Sequence, residues 1–250
     1  RLAEAEAAGL AYAERAGVQS IAELRKIPAD ELPGGRGWPI IDGWVIPDDQ
    51  YKLYEAGKFN DTPILVGYNS DEGLGFFSAP TRKAHVDGVK QRFGPFADRL
   101  LEAYPVGTAD TVPHSARNLM RDAAFGWHTW SWARLQSRMG KAKAFLYFFD
   151  QHSDEPADTG SPHGMEVAYV FQHLDPSDPR TTESDLVMSE AMVTYWTHFA
   201  KHGDPNGAGV PAWPPLSDES PRLMIFRQTP HPGTVPDRAA LRVLDEYFAW

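Results

Sequence analysis

Cysteine is missing from all 250 residues. Its absence excludes disulfides, thiolate metal sites and a cysteine nucleophile. It fits a reducing cytoplasm, or an envelope protein built without disulfides. No run of about 18 apolar residues occurs, so no membrane-spanning helix is expected. A surplus of positive charge is also lacking. Twenty-four Lys and Arg against 34 Asp and Glu leave a net charge of −10, which argues against a nucleic-acid backbone as partner. The first residues, Arg1-Leu2-Ala3-Glu4-Ala5-Glu6, hold no hydrophobic signal core and no initiating Met, so they do not read as a leader. Cellular location is not legible. No internal repeat, low-complexity segment or dividing linker interrupts the chain.

What is present is ordinary for a globular protein. Hydrophobic residues make up 42% and charged residues 23%, and the length suffices for a real core. Eight tryptophans point to a wide apolar site or interface. Residues 1–17 read as a helix with small apolar residues on one face, ended by Gly17. Ser20 caps a short helix over 21–27, with Glu23 at the capping-box position and Pro28 as the stop. A turn follows at 29–32. The alternation in 38–46 around Asp42-Gly43 predicts a hairpin or two short strands. A helix is expected from Pro47 to Gly57. The apolar run 63–68 predicts a fully buried central strand, and 143–149 a second. Residues 81–103 and 108–140 are helical by pattern, interrupted at Pro95, Pro105 and Pro113. Helices are expected at 183–202 and 237–249, with a last strand at 222–227.

Buried strands separated by helical stretches make an α/β pattern. In open parallel sheets, reactive groups gather beyond the carboxyl ends of the strands. The first strand leads into Asn69-Ser70-Asp71-Glu72-Gly73. The second leads through a loop to Ser161-Pro162-His163-Gly164. An acid followed much later by a histidine matches the order Ser…Asp/Glu…His of α/β-hydrolases. In that arrangement the carboxylate fixes the tautomer of the imidazole, and the imidazole takes the proton of a serine.

Gly67-Tyr68-Asn69-Ser70-Asp71-Glu72-Gly73 resembles the acid-bearing G-x-N-x-D-E-G segment of the type-B carboxylesterase/cholinesterase family. The stretch from Pro162-His163-Gly164 to Tyr169-Val170-Phe171 resembles that family's histidine segment. Further matches keep the family's order: Phe59-Asn60-Asp61-Thr62-Pro63, Tyr195-Trp196-Thr197-His198-Phe199, Gly203-Asp204-Pro205-Asn206 and Trp213-Pro214. Together they cover nearly the whole chain. The resemblance implies an α/β-hydrolase fold, an ester-hydrolysing activity, Glu72 as triad acid and His163 as triad base. It implies no metal and no cofactor, and a small-molecule ester as substrate. Asp71 is the competing carboxylate, and the family pattern favours Glu72. Glu166 reads either as a second acid behind the histidine or as a structural carboxylate. Ser70 sits inside the acid's turn and reads as a supporting residue. Phe76 and Phe77 read either as lining of the acyl pocket or as plain core.

The nucleophile is lacking. No G-x-S-x-G occurs anywhere, and upstream of Glu72 the only serines are Ser20 and Ser70. Neither has the small neighbours that a strained nucleophile elbow requires. Gly34-Gly35 lies in the wrong place for an oxyanion hole. By resemblance, residues 1–250 are expected to be the C-terminal half of one hydrolase domain. A companion N-terminal half would carry the serine and cover the exposed sheet edge. The lack of cysteine favours a bacterial-type esterase over the disulfide-bonded cholinesterases. Two other classes stay open: a non-catalytic binding member of the same fold, and a metal-binding or interaction domain around His198 and His202. Those two histidines are spaced i, i+4 at a helix end, where a solvated pair is the stronger reading. Trp127, Trp130 and Trp132 read as helix packing ahead of a substrate box.

Overall fold

A computed structural model of the protein describes residues 1–35, 37–75, 81–107, 112–152 and 159–249. The chain divides into two compact units, Arg1–Phe59 and Asn60–Trp250.

The first unit holds α1 (Leu2–Arg15), α2 (Ile21–Leu24), a single 3₁₀ turn at Ala29–Glu31 and α3 (Gln50–Glu55). None of its described residues is fully buried. Ser20 caps α2 by accepting from the Glu23 N–H at 3.2 Å. The Glu23 carboxylate accepts from the Gln19 N–H rather than that of Ser20, and α2 stops at Leu24, short of the expected 27. Neither the hairpin nor the two short strands expected at 38–46 form. Asp42 Oδ1 accepts from the N–H groups of both Trp44 (2.9 Å) and Ile46 (3.0 Å). Gly43, at φ +78°, donates to the Ile46 carbonyl. A side chain thus supplies the bonds that a partner strand would have made. Asp49, not Pro47, sets the start of α3 by capping the Lys52 N–H.

The second unit is built on a four-stranded sheet in the order β1 (Ile64–Asn69), β2 (Ala144–Phe149), β3 (Arg222–Phe226), β4 (His231–Thr234). The first three strands are parallel, and β4 pairs antiparallel to β3. β2 is buried along its whole length. Its odd residues, Phe145, Tyr147 and Phe149, pack on one face with Met188, Met192, Tyr195 and Trp213. Its even residues, Leu146 and Phe148, pack on the other with Phe93, Leu100, Trp130 and Leu241. This two-sided burial is the strand period of two at work. α9 (Glu183–His202) contributes to the first layer. α4 (Arg82–Phe93), α5 (Ala97–Ala103), α7 (Trp127–Met139) and α10 (Arg238–Ala249) contribute to the second.

β1 is not the fully buried central strand that its apolar run predicts. Among the described residues it is an edge, and Leu65, Val66 and Gly67 are only half-buried. Gly67 has no room for a side chain: a Cβ there would lie 2.2 Å from the Tyr147 ring. Pro95 breaks the first helical stretch into α4, a 3₁₀ turn and α5. Pro113 breaks nothing, because it falls in the first turn of α6 (Val112–Arg121), where a missing N–H is harmless. Between α6 and α7 lies one turn of π-helix, Asp122–Gly126. Trp127 and Trp130 are buried as packing residues, and Trp132 is exposed. Two elements lacked a sequence signal: the short α8 (Met165–Val170) and β4. No described helix is long and apolar enough to cross a membrane.

Candidate active site

β1 and β2 run in register, so their carboxyl ends lie side by side. The pairing continues past both strands. The Ser70 N–H donates to the Phe149 carbonyl at 2.9 Å, and the Asp71 N–H donates to the Ser161 carbonyl at 2.9 Å. Asp71 and Pro162 form an isolated parallel bridge. Ser70 Oγ accepts from the Ser161 N–H at 2.8 Å. A Cβ on Gly160 would fall 2.4 Å from that hydroxyl, so the loop approaches this closely only with glycine there. These contacts join the two loops across 91 sequence positions.

The result brings Glu72 to His163. His163 Nδ1 lies 2.5 Å from Glu72 Oε2. The glutamate side chain is 6% exposed and the imidazole 50%. A buried acid therefore orients a ring that remains open to solvent. The other carboxylate oxygen, Oε1, accepts from the Asn69 N–H at 2.8 Å. Burial pushes the Glu72 carboxyl above its ordinary range, and the bonds from Asn69 and His163 oppose that shift.

Asn69 is a hub that sequence reasoning passed over. It is fully buried at the end of β1. Its Nδ2 donates to the Pro162 carbonyl at 2.8 Å and to Glu166 Oε2 at 2.5 Å. Glu166 is thereby tied to the residue before His163 and to the residue that supports Glu72. Its negative charge adds to the upward push on Glu72. Gly164, at φ +78°, turns the chain from His163 into α8, which carries Glu166.

Asp71 faces elsewhere. Its carboxylate pairs with Arg117 Nε at 3.0 Å, and both side chains are buried. Below the turn, Arg121 donates to the Ser70 carbonyl at 3.2 Å. The same guanidinium grips Asp122 by two bonds, at 2.7 and 2.9 Å, and Tyr104 also donates to Asp122. Phe125, on the π turn, lies against the His163 ring with centroids 5.0 Å apart. A single π turn in a long helix is a recurrent mark of functional sites. The sequence pattern of 108–140 carries no trace of it.

Phe76 and Phe77 lie outside the described residues. His198 and His202 end α9, ring centroids 5.8 Å apart. Among the described residues no group of three or more His, Cys, Asp or Glu is arranged to hold a metal ion.

Known proteins resemble this chain in sequence and in fold. Residues 18–241 match the model of the carboxylesterase family. Neuroligin-3 from Mus musculus and from Homo sapiens are each 34% identical over 200 residues, covering 67% of this chain. The chain spans about a quarter of their length, 24% and 23%. Among solved structures, a PNB esterase aligns over 88% of this chain and 46% of its own, with TM-score 0.67 and 25% identity. EstA of Aspergillus niger aligns over 92% and 51%, with TM-score 0.76 and 19% identity, and shares the fold.

Proposed function

The chain belongs to the carboxylesterase family, and on that premise we propose that it supplies the acid and the base of a Ser-His-Glu carboxylic-ester hydrolase. The observation that carries this reading is the 2.5 Å contact between His163 Nδ1 and a buried Glu72. Glu72 holds the imidazole in the tautomer with hydrogen on Nδ1, which leaves Nε2 as the base. Nε2 removes the proton from a serine hydroxyl as its oxygen attacks the ester carbonyl. The imidazolium returns the proton to the departing alcohol, leaving an acyl-enzyme. Water then repeats the sequence and releases the acid. Asn69, Ser70 and Glu166 are positioning residues that hold the acid's turn against the histidine's loop. The aromatic richness of the sequence, 8 Trp, 9 Tyr and 13 Phe, favours bulky or aromatic esters as substrate.

The serine belongs to a companion N-terminal segment. The open apolar edge of β1 supports that assignment, since such an edge invites pairing. Intact mass spectrometry of the purified protein, before and after an organophosphate serine probe, tests it. The expected result is a label on a second segment carrying G-x-S-x-G, and no label after His163→Ala. A label on this chain would overturn it. A non-catalytic binding member of the family is the second reading, and the likeness to neuroligin-3 keeps it in view. Glycine or alanine at the elbow position, with no labelling, would favour it.

A further inference from the structure

Away from the Glu72–His163 site, a cavity of about 220 Å³ opens between α7, α10 and the loop before β3. Four arginines line it: Arg134 and Arg138 from α7, Arg238 and Arg242 from α10. Both pairs are spaced i, i+4, an arrangement in which like charges repel. Arg238 also opens its helix, where the positive end of the dipole disfavours a cation. Two helices thus bear an unfavourable charge pattern toward one cavity, in a chain whose net charge is −10.

Neighbouring carboxylates leave part of that charge standing. Asp245 is bound by Arg134 and Asp218 by Arg138. Asp237, next to Arg238 in sequence, pairs with Arg121, and Glu246, four residues after Arg242, pairs with Arg99. Asp218 also lines the cavity, and its carboxylate feels the charge of Arg238 as well as that of Arg138, but among the described residues neither Arg238 nor Arg242 makes a direct ion pair, and both are exposed. Trp130 forms a rigid wall, with the Arg134 guanidinium 3.6 Å over its ring. That stacking and the bonds to Asp245 hold Arg134 in place.

We propose that this cavity binds a multivalent oxyanion, a phosphate group, gripped by Arg238 and Arg242 with Arg134 and Arg138 at its sides. Guanidinium forks match tetrahedral oxyanions by paired, charge-assisted hydrogen bonds. An anion here also relieves the repulsion within each helix pair.

The test is calorimetric titration of the purified protein, with any companion segment it occurs with, by inorganic phosphate at low ionic strength. Saturable binding is expected, weakened at least about tenfold in the Arg238→Gln/Arg242→Gln double variant. Both side chains are exposed, so circular dichroism should show the variant folded. Lys83→Gln, on α4, removes the same kind of charge elsewhere and should bind as the wild type does. Sodium chloride at matched ionic strength should give no saturable heat. Equal binding by the double variant, equal weakening by Lys83→Gln, or no saturable binding by the wild type would overturn the proposal.

Discussion

Glu72 is asked to be an anion in a place that disfavours one. Burial raises its carboxyl's affinity for the proton, and the hydrogen bonds from Asn69 and His163 oppose that rise. On the proposed mechanism, Glu72→Gln keeps the shape but removes the charge that would stabilise the imidazolium, so kcat should fall by about 10³–10⁴-fold. Esterase assays on the intact protein check this. Stability should respond in a different way. A carboxyl whose folded value is raised contributes fully below the ordinary glutamate range, and that contribution is lost as pH rises through the folded value. The stability of wild type relative to Glu72→Gln should therefore be greatest in acid and decline toward neutral pH. Urea midpoints measured across that window would show it, and a flat difference would contradict it. Arg117 presents the opposite case. It neutralises Asp71 within the same turn, with both side chains buried. Arg117→Ala strands a buried carboxylate and should destabilise by about 3–5 kcal/mol in urea unfolding.

At the scale of elements, α8 and α9 are bound together through one carboxylate. Asp185 accepts from the N–H and hydroxyl of Thr182, completing the capping box of α9. Its other oxygen accepts from Tyr169 on α8 at 2.8 Å and from Gln151 at 2.9 Å. Burial pushes this carboxyl up, but the four hydrogen bonds outweigh it and hold it below the ordinary range. The sign is thus the reverse of Glu72: the stabilisation exists above the ordinary aspartate range and is lost as pH falls through the folded value. Asp185→Ala should lower stability by about 1–2 kcal/mol at neutral pH, measured by thermal melting, with the deficit shrinking in acid. Elements of this kind also decide how much was legible beforehand. β2 and α9 declare themselves, because a continuous apolar run and a long capped amphipathic stretch each carry a period. Residues 38–46 alternate like a hairpin and do not form one, because alternation cannot reveal that Asp42 bonds its own backbone. The π turn and α8 are too short to show a period. The meeting of Glu72 with His163 is the part of the candidate site that the motifs anticipate. Glu166 is a candidate on the histidine's motif, whereas Asn69 and Phe125 take their places through contacts that only the folded chain makes.

For the whole molecule, the sheet's two edges are treated differently. On one side β4 closes the parallel strands with an antiparallel partner of low apolar content, His231-Pro232-Gly233-Thr234. Such a strand is a poor template for further pairing. On the other side β1 offers Ile64-Leu65-Val66 with no neighbour among the described residues. A parallel strand of this composition is normally covered on both sides. If a companion segment pairs with β1, the outward amides of β1 are hydrogen-bonded in the assembled protein and open to water in residues 1–250 alone. Hydrogen exchange read by mass spectrometry distinguishes the two. Peptides covering β1 should exchange at least about tenfold more slowly in the assembled protein than in the separate chain, since a protected sheet amide must wait for a local opening. Peptides covering β2, already paired on both sides by β1 and β3, should change far less. Equal protection of β1 in both preparations would mean that the edge is not where the proposed companion segment docks.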